Sequence, residues 1–105
     1  MKPCRLRPQA RNDRREQVQY YRREAGPDVA NCLVDALHKA QAELALQPGI
    51  GSPVLGQLLG LPGLRVWRIS GFPLSYWYFE REHCVDVVRL VGQRQDPILL
   101  SVDEG

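Results

Sequence analysis

The spacing of hydrophobic residues along this 105-residue chain passes from alternating to helical and back to alternating. Cys4-Arg5-Leu6-Arg7 alternates and is short, which predicts an edge strand limited by Pro3 and Pro8. From Gln9 to Ala25 the chain is charged and helix-favouring, with Val18, Tyr21 and Ala25 on one face and Ala10 and Tyr20 nearby. Its apolar stripe is thin. Gly26 ends this helix, and Pro27 with Asp28 opens a second one in positions where Pro and a carboxylate are preferred. In that second helix, about Asp28 to Leu46, the residues Val29, Leu33, Ala36, Leu37, Ala40 and Leu44 recur at steps of three and four. Two helices joined by Gly-Pro predict an antiparallel hairpin.

Residues 48–63, PGIGSPVLGQLLGLPG, hold five Gly and three Pro and are expected to form a loop, with one short turn near Val54 to Leu59. A loop of this length inside a domain is often functional. It carries no charge, which excludes phosphate gripping by its side chains, and no Lys-Ser or Lys-Thr follows to make a P-loop.

Alternation resumes in three strands, Leu64 to Ser70, Leu74 to Glu80 and Cys84 to Val91, with turns at Gly71-Phe72-Pro73 and Glu80 to His83. Such short turns make the strands an antiparallel meander. The expected fold is therefore α+β: an N-terminal strand and an antiparallel helix hairpin packed on an antiparallel β-sheet with a three-strand meander. Six of the eight aromatic residues fall between residues 65 and 80, and both faces of the middle strand bear large aromatics. Tyr76 and Tyr78 with Val66 are expected to pack beneath the helices. Trp67, Trp77 and Phe79 are expected on the opposite face, beside arginines from neighbouring strands. Alternation leaves open which set faces which way.

The length fits one domain over residues 1–105, and 44% hydrophobic with 25% charged residues fits a folded chain rather than a disordered one. No apolar run approaches the ~20 residues that span a bilayer, and the start MKPCRLRPQARNDRR lacks the apolar stretch of a secretory signal, so a cytoplasmic protein is expected. Cys4, Cys32 and Cys84 are odd in number and show no metal-ligand spacing, so neither a disulfide framework nor a metal or cofactor is expected. Charge is uneven along the chain. Residues 1–25 hold a surplus of +5 within a total of +2. Such a basic end suits nucleic acid or an acidic partner; a solvated helix face is the other reading.

Four local patterns accompany this order of elements: Lys2-Pro3-x-Arg5-Leu6; Tyr20-Tyr21 with Ala25-Gly26-Pro27; Gly63-Leu64-Arg65; and Val88-Arg89-Leu90-Val91-Gly92-x-Arg94-x-Asp96. Together they resemble the ParE branch of the RelE/ParE toxin superfamily over nearly the whole chain. The resemblance implies a type II toxin paired with an antitoxin whose C-terminal segment wraps around it, in a hetero-oligomer that reaches operator DNA only through the antitoxin. It also implies a target: ParE-like members block DNA gyrase, whereas RelE-like members cut messenger RNA on the ribosome.

The residues bear on that choice. RNA cleavage needs a proton acceptor, a proton donor and cations for the phosphorane. The early position of the second meander strand, where a nuclease relative carries an arginine, is Pro73; the tail after Pro97 holds neither Tyr nor His; and the lysines, Lys2 and Lys39, lie outside the meander. Arginine is a poor general base at neutral pH. His83 lies at the far end of the last strand from Arg94, and His38 stands alone on its helix. The sequence thus points to a gyrase-directed, non-nucleolytic toxin with no catalytic residues. A ribosome-dependent endoribonuclease and a non-toxic, antitoxin-bound co-repressor are the alternatives. Candidate target contacts are Arg65, Arg68, Arg89, Arg94 and Asp96; for Arg89 and Asp96 an internal ion pair is the competing reading. Candidate antitoxin contacts are Arg5, Arg7, Tyr20, Val29, Leu33, Trp67 and Trp77, with core packing the competing reading for Val29 and Leu33.

Overall fold

The computed structural model describes residues 1–93. The chain runs β1 (Cys4–Leu6), α1 (Pro8–Ala25), α2 (Pro27–Leu46), a 3-10 turn (Pro48–Ile50), α3 (Val54–Leu58), β2 (Leu64–Arg68), β3 (Leu74–Glu80) and β4 (Val85–Gly92). Both long helices begin on a proline, whose missing N–H falls where a helix has no acceptor for it. Gly26 joins them with φ of 93°, a conformation open to glycine. Its amide donates to the Arg22 carbonyl and its own carbonyl accepts from the Ala30 amide, so one residue closes one helix and starts the next.

The sheet order is β1-β4-β3-β2. β2, β3 and β4 form the expected antiparallel meander. β1, however, pairs in parallel with β4, Cys4 opposite Val85 and Leu6 opposite Val87, so the sheet is mixed rather than antiparallel throughout. A parallel pair requires a crossover, and the helix hairpin supplies it by carrying the chain across one face before the meander begins at the far edge. Among the described residues no helix is long and apolar enough to cross a membrane.

Each face of the sheet has its own core. Beneath the hairpin, Leu33, Leu37, Ala40 and Leu44 of α2 and Ala10 of α1 pack on Ile69, Tyr76, Tyr78, Val85, Val87 and Leu90, with Trp67, Val18 and Tyr21 at the margin. On the opposite face Leu64, Trp77, Phe79, Val88 and Val91 lie under Leu55, Leu59 and Leu61. The glycine-rich stretch is therefore a cover for the second face. Complete burial of an aromatic side chain there contributes about 1.5–3 kcal/mol.

Strand register corrects the expected partition of the aromatics. Trp67 lies opposite Tyr76 and Val66 opposite Trp77, so Trp67 joins the helix-side core and Val66 the other. Alternation gives two sets within each strand, but the phase between strands is set by the hairpin connection. A register shift follows in the next pair, where Trp77 faces Arg89 and Tyr78 faces Val87. The extra residue in β4 lets Val87 and Leu90 reach one core while Val88 and Val91 reach the other.

Three groups fasten the cover. The Tyr78 hydroxyl donates to the Pro48 carbonyl at 2.6 Å and accepts from the Gly51 amide at 2.9 Å. Arg65 donates to the carbonyls of Gly49 at 3.1 Å and Gly51 at 2.7 Å. Ser52 and Val66 exchange two backbone hydrogen bonds of 3.0 Å, which also satisfies part of the β2 edge. Gly51 has to be glycine on packing grounds, since a Cβ would stand 2.6 Å from the Tyr78 hydroxyl.

Candidate functional site

Three surface features carry chemistry. The first is a cleft of about 420 Å³ at the open end of the meander, lined by Gln17, Tyr20 and Tyr21 of α1, Pro73 and Leu74 at the start of β3, and Gly92 and Gln93 at the end of β4. The Gln93 amide donates to the Pro73 carbonyl at 3.0 Å, tying its floor together. Tyr21 stands edge-on to Tyr20 with ring centres 5.4 Å apart and to Phe72 at 5.3 Å. Among the described residues this lining contains two phenols and two amides, and no carboxylate, imidazole, ammonium or guanidinium.

The second feature is a groove of about 420 Å³ along α1, lined by Arg11, Arg14, Arg15, Val18, Gln19 and Arg22. Arg14 is held there by a 3.0 Å hydrogen bond from its guanidinium to the Gln41 side chain on α2. Arg11, Arg15 and Arg22 are exposed.

The third is an ion cluster where β1 meets β4. Asp86 accepts two hydrogen bonds from Arg7, at 3.0 and 2.8 Å, and one from Arg81 at 3.1 Å. Burial pushes the Asp86 carboxyl up, but the hydrogen bonds and charges of the two arginines outweigh it and hold the group below its ordinary value. Arg81 also stacks over the Phe79 ring at 4.5 Å, and Lys2 pairs with Glu80 at 2.9 Å.

The structure disperses the residues singled out as target contacts. Arg68 is exposed at the end of β2, while Arg65 is half-buried against the loop carbonyls. Arg89 is a correction: only 8% exposed, it donates through Nε to Asp13 at 2.7 Å and through a second nitrogen at 3.2 Å. Its side chain belongs to an internal ion pair, made with Asp13 of α1. Arg94 and Asp96 lie outside the described residues.

Of the antitoxin candidates, Arg5 and Tyr20 are exposed and Val29 is half-buried. Leu33 and Trp77 are corrections, being buried in the two cores at 0% and 2% exposure, where no partner reaches them without opening the fold. Arg7 is committed to Asp86. Trp67 is half-buried with its indole N–H 3.4 Å from Glu43 of α2.

Sequence reasoning missed Asp13, whose carboxylate also accepts the Leu90 amide at 3.1 Å and so satisfies β4 beyond the end of β1. The signal was present: Asp13 shares the helical face of Ala10 and Gln17, turned inward rather than to solvent. It also missed the arginine groove, which a helical projection of residues 11–22 would have found.

Comparison with known proteins now adds to this geometry. A family model for the ParE toxin of type II toxin-antitoxin systems (parDE) matches residues 4–97. No curated protein matches the sequence. Among solved structures, a chain described as the chromosomal ParDE TA system from P. aeruginosa superimposes with a TM-score of 0.72, over 88% of this chain and 96% of its own, at 19% identity. At that identity the likeness speaks for the fold. The family match spans every strand and helix described above, and by it this chain belongs to the ParE toxin family of type II toxin-antitoxin systems.

Proposed function

We propose that this chain is a toxin that inhibits DNA gyrase by binding it, that it has no nuclease chemistry of its own, and that a cognate antitoxin neutralises it. Family membership implies the antitoxin. The observation that carries the non-nucleolytic reading is the cleft around Pro73.

Cleaving RNA at a 2′-hydroxyl calls for a group that takes a proton, a group that returns one, and cations around the phosphorane. The cleft offers a proline ring where a guanidinium would sit, with tyrosines and glutamines about it. His83, the imidazole on the meander, is exposed in the turn before β4, roughly 25–30 Å of strand away from the Gly92 end. Exposed Arg68 and half-buried Arg65 remain as candidate contacts for a macromolecular target, and Arg94 and Asp96 stay as candidates. Arg5, Tyr20, Val29 and Trp67 are the remaining antitoxin candidates.

Purified toxin is expected to inhibit gyrase supercoiling and to stabilise cleaved DNA, with antitoxin reversing both. Gyrase left fully active by a large toxin excess would overturn the proposal.

A further inference from the structure

We propose that the outer face of α1 is a binding surface for the phosphate backbone of double-stranded DNA, so that this chain meets DNA directly and not only through an antitoxin. The surface is the row Arg11, Arg15 and Arg22, flanked by Arg14. At about 100° of turn per residue, positions 11, 15 and 22 fall within about 40° of one line along the helix. Their span is about 16 Å, at 1.5 Å per residue. That length bridges phosphates on the two sides of a major groove about 12 Å wide.

The row keeps its charge. Among the described residues, no carboxylate lies within ion-pair distance of Arg11, Arg15 or Arg22. The three acidic residues of α1 are placed elsewhere: Asp13 is buried against Arg89, Glu16 accepts a 3.0 Å hydrogen bond from Asn12 outside the groove, and Glu24 does not line the groove. The platform is also rigid, because the Asp13–Arg89 pair fastens α1 to β4 from the opposite side.

Duplex DNA fits this surface better than an acidic protein segment does. A helix docking in a groove needs apolar anchors at three- and four-residue steps, and the groove offers a single aliphatic side chain, half-buried Val18. Duplex DNA needs no anchors. It presents phosphates at regular intervals, arginine engages them through two parallel N–H donors, and each contact releases condensed counterions. The inference stands apart from the gyrase reading, and its test contains no gyrase.

The test is fluorescence anisotropy of the full-length chain with a labelled duplex of about 20 base pairs and arbitrary sequence, read across salt concentrations of about 50 to 200 mM. The expected result is binding whose log K falls against log salt with a slope of about −3, for three phosphate contacts. Each of Arg11→Ala, Arg15→Ala and Arg22→Ala is expected to lower that slope by about one, and the triple substitution to abolish most binding. A triple arginine-to-lysine variant retains the slope, which separates charge from folding, and Arg23→Ala, outside the groove, leaves binding unchanged. No binding at the lowest salt, an unchanged slope in the triple alanine variant, or poly-glutamate displacing the duplex at equal charge concentration would each overturn the proposal.

Discussion

Asp13 sits on the most basic helix of the chain, yet its work is done indoors. With side-chain exposures of 9% and 10%, Asp13 and Arg89 form a buried pair, and Asp13 also accepts the Leu90 amide. Truncating one partner strands the other's charge, so Asp13→Ala is expected to cost about 3–5 kcal/mol in urea unfolding. A paired Asp13→Leu, Arg89→Met replacement is expected to recover much of that loss, since an apolar pair carries no desolvation penalty. Asp86 provides a second residue-scale expectation. Its folded pKa lies below the unfolded value of about 3.9, so its contribution is fully present above that pH and is lost as the pH falls through the folded value. The stability difference between the unmodified chain and Asp86→Asn is therefore expected to close on acidification below about pH 4, which denaturant titrations at a series of pH values would read. A difference that widened toward low pH would contradict the assignment of Arg7 and Arg81 as its partners.

At the scale of elements, α3 shows what a local pattern hides. Five glycines and three prolines in residues 48–63 read as a loop with one short turn near Val54 to Leu59, where α3 forms; the pattern does not show that Leu55 in α3 and Leu59 at its C-terminal cap seal the second face of the sheet. Substituting both with serine is expected to cost about 1–3 kcal/mol and to expose Trp77, giving a red-shifted emission when Trp67→Phe leaves Trp77 as the lone tryptophan. Unshifted emission would mean that another segment covers this face. The helix hairpin, by contrast, was legible almost to the residue, because the apolar period from Val29 to Leu44 and the Gly-Pro joint are local signals. The meander was legible for the same reason. The parallel pairing of β1, the phase between Trp67 and Trp77, and the partner of Arg89 were not, because each depends on residues distant in sequence. The site suffered most. Its candidates were chosen by residue type, whereas exposure is decided by tertiary packing, which turned Leu33, Trp77 and Arg89 inward and left the α1 arginines outside.

Across the whole molecule, charge and apolar surface are segregated. The arginine row lies on α1, while large exposed apolar side chains, Leu46, Ile50, Val54 and Leu58, follow one another through the end of α2 and the loop. The meander ends in a cleft lined, among the described residues, by phenols, amides, a leucine and a proline, chemistry suited to holding a partner rather than moving protons. The central claim, a toxin that acts on gyrase without cutting RNA, is tested most directly by dividing one preparation between two assays. One portion enters a gyrase reaction stopped with detergent and protease, the other a translating extract whose messenger ends are mapped. Linear DNA accumulating in the first with intact messenger in the second is the predicted result; cuts within codons beside unaffected gyrase would contradict it.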